Sequence, residues 1–166
     1  MKENSLILDK SQINQKIIRL SWEIYEANYK EDEIVLVGIE KRGVQLSKRI
    51  SNVLNSISKI KVNCATISLN KENPHSSKIN LKLDDQDIIN KVIILVDDVL
   101  NSGKTLIYAT NQFLSVPVKR ISTVVLVDRN HNNFPIKADY VGVSLSTTLQ
   151  EHISVIFGKE EGVYLS

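Results

Sequence analysis

The stretch VIILVDDVLNSGKTL, residues 92–106, decides the architecture. Five apolar residues run straight into two adjacent aspartates, a short loop with one glycine follows, and a new apolar pattern begins. A short, nearly unbroken apolar run suits a central strand of a parallel sheet covered on both faces. Ligands of such sheets bind at the carboxyl ends of the strands, which is where Asp97 and Asp98 are expected. Asn101 to Thr105 then form the turn into a helix, whose free N–H groups and positive dipole end suit a phosphate. Gly103 allows close backbone approach, and Ser102 and Thr105 add hydroxyl donors. Carboxylates repel phosphate but accept hydrogen bonds, so ribose hydroxyls are their natural partners. The combination describes a ribose 5-phosphate. It is neither a P-loop, whose earlier glycine is missing, nor a GxGxxG fingerprint.

The rest of the chain supports this frame. IVLVG (34–38) and ISTVVLV (121–127) read as further buried strands. Ile13, Ile17, Leu20 and Ile24 form one apolar stripe of a helix over 9–28, capped by Asp9 or Ser11. Ile18, Trp22, Tyr25 and Tyr29 form a second stripe, which points to a subunit contact. The loop IEKRG (39–43) leads into a helix near 44–54. Residues 60–69 alternate as a strand whose phase slips near Ala65, as at a bulge. Residues 70–80 have loop chemistry and are expected to be mobile, and INLKL (79–83) returns as a strand. A helix is expected over 104–115 with Leu106, Ala109, Phe113 and Leu114 inward, ending before Pro117. DYVGVSL (139–145) and ISVIF (153–157) are shorter β pieces. Helices alternating with apolar strands give an α/β fold with a central parallel sheet flanked by helices, and the β-rich tail gives a small appendage.

At 166 residues the chain has the size of one domain, with 42% hydrophobic and 24% charged residues, a globular composition. A net charge of +2 does not announce a nucleic-acid binder. No apolar run approaches a membrane span, and the N-terminus lacks the pattern of a signal peptide. The lone Cys64 is expected to be a buried structural thiol. These features are those of a cytoplasmic protein.

The opening stretch resembles the phosphoribosyl-pyrophosphate motif of the type I phosphoribosyltransferases. VLVDRNHNNFPIKADYVG (125–142) is similar to a segment of the pyrimidine-operon attenuator proteins that are also uracil phosphoribosyltransferases. ILDKSQINQKIIRLSWEIYEAN (7–28) and LVGIEKRGVQLSKRI (36–50) match that family's first helix and first active-site loop. The resemblance implies one phosphoribosyltransferase domain over 1–166, with a hood built mainly from about 128–166.

It also implies roles. Asp97 and Asp98 would hold the ribose hydroxyls, and Asn101, Ser102, Gly103, Lys104 and Thr105 the 5-phosphate. Lys41, Arg42 and Gly43 would contact pyrophosphate, with a non-proline cis peptide near Glu40–Lys41. Asp128, Arg129, Tyr140 and Val141 would serve the base, Tyr140 by stacking and Val141 through its backbone. Residues 70–80, with Lys71, would cover the reaction. Mg²⁺ would be held mainly by the substrate, through water to Asp97 and Asp98 at most. The partners implied are phosphoribosyl pyrophosphate, a nucleobase, a second copy of the chain in a homodimer, and messenger RNA.

This sequence departs from the family at several places. Trp22, Ala27 and Val143 stand where the family has His, Arg and Lys on its RNA-binding surface, although Arg19 is kept. Thr66 and Lys71 replace an acid and an arginine of the covering loop, and Lys137 stands where Arg is usual. Purine members of the superfamily commonly carry an acid at the position of Asn101, so Asn101 favours a pyrimidine. The reading leaves open uracil transfer, transfer to another base, an RNA-binding regulator and a nucleotide-binding module without catalysis.

Overall fold

The computed structural model describes residues 5–69, 80–81 and 83–166. Strand β1 (Ser5–Asp9) leads directly into helix α1 (Lys10–Asn28). Asp9 caps that helix: its side chain accepts from the Gln12 N–H at 2.8 Å, while Gln12 Oε1 accepts from the Asp9 N–H at 2.9 Å. There follow β2 (Glu33–Ile39), α2 (Glu40–Ile57), β3 (Lys61–Ser68), β4 (Asn80–Leu81), β5 (Val92–Leu100) and α3 (Lys104–Asn111). The chain ends with β6 (Arg120–Asp128), β7 (Tyr140–Ser144), β8 (Ile153–Ile156) and β9 (Gly162–Leu165).

The main sheet has the order β4-β3-β2-β5-β6-β7, parallel except for β4. Alternation divides its core into two layers. Leu36, Ile94 and Leu126 meet Ile13, Ile17, Leu20 and Ile24 of α1 and Leu46, Ile50 and Leu54 of α2 on one face. Val37, Leu95 and Val125 meet Leu106, Ala109 and Phe113 on the other. This is the expected parallel α/β architecture. β5 lies in the middle, which explains why its sequence shows no alternation.

The structure corrects several local expectations. Tyr140–Ser144 extends the main sheet beside β6 rather than entering the appendage. The appendage is a separate antiparallel sheet, β1-β9-β8, which draws one strand from the N-terminus. It is fastened to α2 by Arg49, which pairs with the buried Glu161 at 2.7 Å and lies 5.6 Å over the Phe157 ring. No bulge occurs at Ala65, since β3 keeps register with β2 throughout. The phase slip instead marks a change of layer: Ile60 and Val62 serve the α1–α2 side, and Ala65, Ile67 and Leu69 serve the α3 side. Cys64, left between them, is exposed rather than buried. α3 stops at Asn111, and Leu114 is 67% exposed, not inward. Of the second stripe of α1, Tyr25 packs partly against the core, and Ile18, Trp22 and Tyr29 are exposed. Among the described residues, no helix is long and apolar enough to cross a membrane.

Candidate active site at the carboxyl edge of the sheet

β5 does not end at the aspartates but continues to Leu100, so Asp97 and Asp98 are strand residues near its carboxyl end. Both are buried, at 3% and 4% exposure. Burying two neighbouring carboxylates is costly and marks the place where the fold departs from a purely apolar core. Alternation sends them to opposite faces of the sheet, and the cleft at its carboxyl edge is lined by both. The Asp98 N–H donates to Asp97 Oδ1 at 2.9 Å, and Asp98 Oδ2 faces the half-exposed Arg42 guanidinium at 3.4 Å. They line a cleft of about 310 Å³ with Arg42, Asn101 to Thr105, Arg129 and His152.

The far wall is the turn into α3. Gly103 stands at the N-cap with φ +83°, a conformation that glycine adopts without penalty. A Cβ there would also lie 2.7 Å from a methyl of Ile136. Gly103 offers no side-chain cap of its own, and the Lys104 N–H donates to Ser102 Oγ at 3.3 Å. The start of α3 therefore keeps donors and a positive dipole end for an anion. The turn is held from outside: Asn133 and Phe134 N–H both donate to the Ser102 carbonyl, at 2.9 and 3.1 Å.

Lys41, Arg42 and Gly43 lie in the first turn of α2, not in a loop. Among the described residues there is no cis peptide, so the one expected near Glu40–Lys41 is not found; the tight entry is made by Glu40, with φ +52°. Gly43 is required by packing, because a Cβ would overlap the Val96 carbonyl oxygen just before the aspartates. A second hollow, of about 820 Å³, is lined by Glu40, Lys41, Arg42, Gln45, Thr66 and Ser68. Arg42 borders both hollows, so they adjoin.

The residues expected at the base are not brought together. Tyr140 packs partly buried into the α1-side core, with Asn28 and Ser122 near its side chain, and pairs with Val124, four residues before Asp128. Burial pushes its phenol above the usual range, with Arg120 pulling back. The Val141 and Gly142 carbonyls accept from Arg19 at 2.8 and 2.7 Å, and Arg19 also pairs with Glu23. Arg19, the cation that the resemblance would place on an RNA-binding surface, is thus engaged within the fold. Asp128 stays at the edge, where Oδ1 accepts from the Asn130 N–H at 2.8 Å. Arg129 lines the cleft but is 5% exposed, its guanidinium directed into the protein. His131 Nε2 lies 2.6 Å from the Thr147 carbonyl. Asp139 and Thr123 exchange bonds, Thr123 N–H to Asp139 Oδ2 at 2.8 Å and Asp139 N–H to Thr123 Oγ1 at 3.1 Å. Lys71 lies outside the described residues.

His152 and Ile153 also line the cleft, which nothing in the sequence indicated. They arrive there because β8 pairs with β9 and the His152 and Ser166 backbones exchange bonds of 2.8 and 3.0 Å. That is a long-range consequence of the small sheet, invisible to local patterns.

The comparisons with known proteins agree with this geometry. Residues 3–159 match the phosphoribosyl transferase domain family. The chain is 38% identical to the bifunctional protein PyrR of Clostridium kluyveri, over 93% of this chain and 91% of that one. It is 36% identical to the bifunctional protein PyrR of Clostridium beijerinckii, over 98% and 95%. A hypoxanthine-guanine phosphoribosyltransferase from Bacillus anthracis shares the fold, with a TM-score of 0.74 at 24% identity over 90% of this chain and 84% of that one. By sequence over nearly its whole length and by fold, the chain belongs to the phosphoribosyl transferase domain family and, within it, to the bifunctional PyrR proteins.

Proposed function

We propose that the protein transfers phosphoribose from phosphoribosyl pyrophosphate to uracil, giving UMP and pyrophosphate. The observation that carries this reading is the pair of buried aspartates facing an uncapped helix start across one cleft of about 310 Å³. Asp97 and Asp98 accept from the ribose hydroxyls. The 5-phosphate docks on the N–H groups and hydroxyls of Asn101, Ser102, Gly103, Lys104 and Thr105. Pyrophosphate lies towards Lys41, Arg42 and Gly43 at the second hollow. The base nitrogen gives its electron pair to ribose C1, the C1–oxygen bond breaks with its pair going to pyrophosphate, and the nitrogen loses its proton. Catalysis comes mainly from positioning and electrostatics around the oxocarbenium-like centre. In this reading Asp128 serves the base, while Arg129, Tyr140 and Val141 support the fold around it. Lys71 supplies a further cation in this reading.

Two neighbouring carboxylates are a donor set that suits Mg²⁺, which binds through one or two carboxylates together with substrate phosphates. The substrate phosphates would hold it mainly, with Asp97 and Asp98 reaching it through water, and it would neutralise the donor and the leaving group. The protein acts as a cytoplasmic, single-domain homodimer in this reading; the exposed Ile18, Trp22 and Tyr29 support the dimer.

The test is pyrophosphate release from purified protein, Mg²⁺ and phosphoribosyl pyrophosphate with uracil, orotate, hypoxanthine, guanine or xanthine. Release with uracil alone is expected. Release only with a purine would overturn the base, and donor binding without release from any base would overturn catalysis.

A further inference from the structure

Arg129 carries a full charge at 5% exposure, and its bonds explain how. Nη1 donates to Asn101 Oδ1 at 3.1 Å, Nε to Thr147 Oγ1 at 3.1 Å, and Nη2 to the Thr148 and Glu151 carbonyls at 3.3 and 2.7 Å. Its own N–H donates to the Leu100 carbonyl at 3.0 Å, beside Asn101. We propose that Arg129 is a positioning residue: it fixes the polarity of Asn101 towards the cleft, so that the protein selects a substrate atom that accepts a hydrogen bond there.

The argument is one of donor and acceptor bookkeeping. A guanidinium has donors only, so the carboxamide atom that meets it has to be the oxygen. The Asn101 NH₂ group, with two donors, is left for the cleft that Asn101 lines between the aspartates and the start of α3. A carbonyl oxygen on the base, or an oxygen of the sugar phosphate, satisfies those donors. A ring N–H presented at that point would oppose donor to donor and leave both unmet. Among the described residues, Arg129 is the one that holds the amide against a half-turn. The same guanidinium ties the phosphate turn to residues 147–151, so a merely structural role has to be separated from the selective one.

This inference rests on the phosphoribosyl transfer proposed above, and the experiment keeps the two apart. Native protein, Arg129→Met, Asn101→Ala and the double variant are compared in kcat/KM for uracil, donor affinity by calorimetry and melting temperature. Arg129→Met is expected to lower kcat/KM about tenfold in the native background and less than about threefold once Asn101 is Ala, the non-additivity of a coupled pair. Asn101→Asp keeps a partner for Arg129 but offers the cleft an acceptor, and is expected to shift the uracil-to-hypoxanthine ratio about tenfold towards hypoxanthine at unchanged melting temperature. Penalties that multiply in the double variant would overturn the proposal, leaving Arg129 only its tie to 147–151. An unchanged ratio in Asn101→Asp would overturn the selection. If the native protein binds the donor without turnover, the cycle is read in donor affinity with the same expected coupling. A native protein that binds no donor would refute the underlying reading before any variant is made.

Discussion

Residues 97–105 and residues 128–141 are both rich in polar side chains, and the fold spends them differently. In the first stretch two buried carboxylates, a loop amide and an uncapped helix start all face one cleft. In the second, Arg129, His131 and Asp139 are committed to Asn101, Thr147 and Thr123, and Tyr140 is packed beneath α1. The stretch that narrows the family most is therefore largely scaffold, and the commoner acidic motif lines the cleft to which the chemistry is assigned. Asp98→Asn gives the hardest test of that division. It keeps shape and removes one desolvated charge, so kcat/KM should fall by about a hundredfold or more. The melting temperature should stay within about 4 °C, because among the described residues the cation facing that charge is a half-exposed arginine at 3.4 Å. A variant that retained activity would break the comparison.

Gly43→Ala tests the seam between α2 and β5. The added methyl would overlap the Val96 carbonyl oxygen, which should cost about 1–3 kcal/mol in chemical denaturation and raise the donor KM by shifting Arg42. Asp139→Ala tests the scaffold side. It strips the buried Thr123 N–H of its partner, for about 1–3 kcal/mol of stability. Its kcat/KM per folded molecule should stay near that of the native protein; a loss comparable to that of Asp98→Asn would place Asp139 in the site after all.

The architecture was legible because β2, β5 and β6 are buried on both faces, and burial on both faces writes itself as unbroken apolar sequence. The turn into α3 was legible because Gly103 supplies a left-handed backbone just after the strand and its aspartates. Three features were hidden for physical reasons. The hollow at His152 depends on pairing between β8 and β9, and local patterns carry no long-range register. The orientation of Arg129 depends on carbonyls at 148 and 151 that any residue type would supply. At Cys64 the strand changes the layer it serves, so an apolar-rich neighbourhood predicted burial where the structure gives exposure.

The opposite end of the sheet supplies the mildest contrast with the cleft. There Glu33, 18% exposed, meets Lys91 at 2.6 Å and Lys61 at 3.4 Å, and it also accepts from Asn63. The hydrogen bond from Lys91 lowers its pKa below the ordinary 4.5, against the opposing effect of burial and with further help from Lys61. A carboxylate whose folded pKa is depressed stabilises the fold fully above its unfolded value and loses that contribution as pH falls through the folded one. The melting temperature of the native protein should therefore drop more steeply below pH 4.5 than that of Glu33→Gln, by no more than about 1 kcal/mol in stability because the cluster is partly exposed. Activity near neutral pH should be the same for both proteins, since Glu33 reaches neither hollow at the carboxyl edge. Identical acid melting curves would mean that the lysines, unlike Arg129 and its partners, are as well satisfied by water as by Glu33.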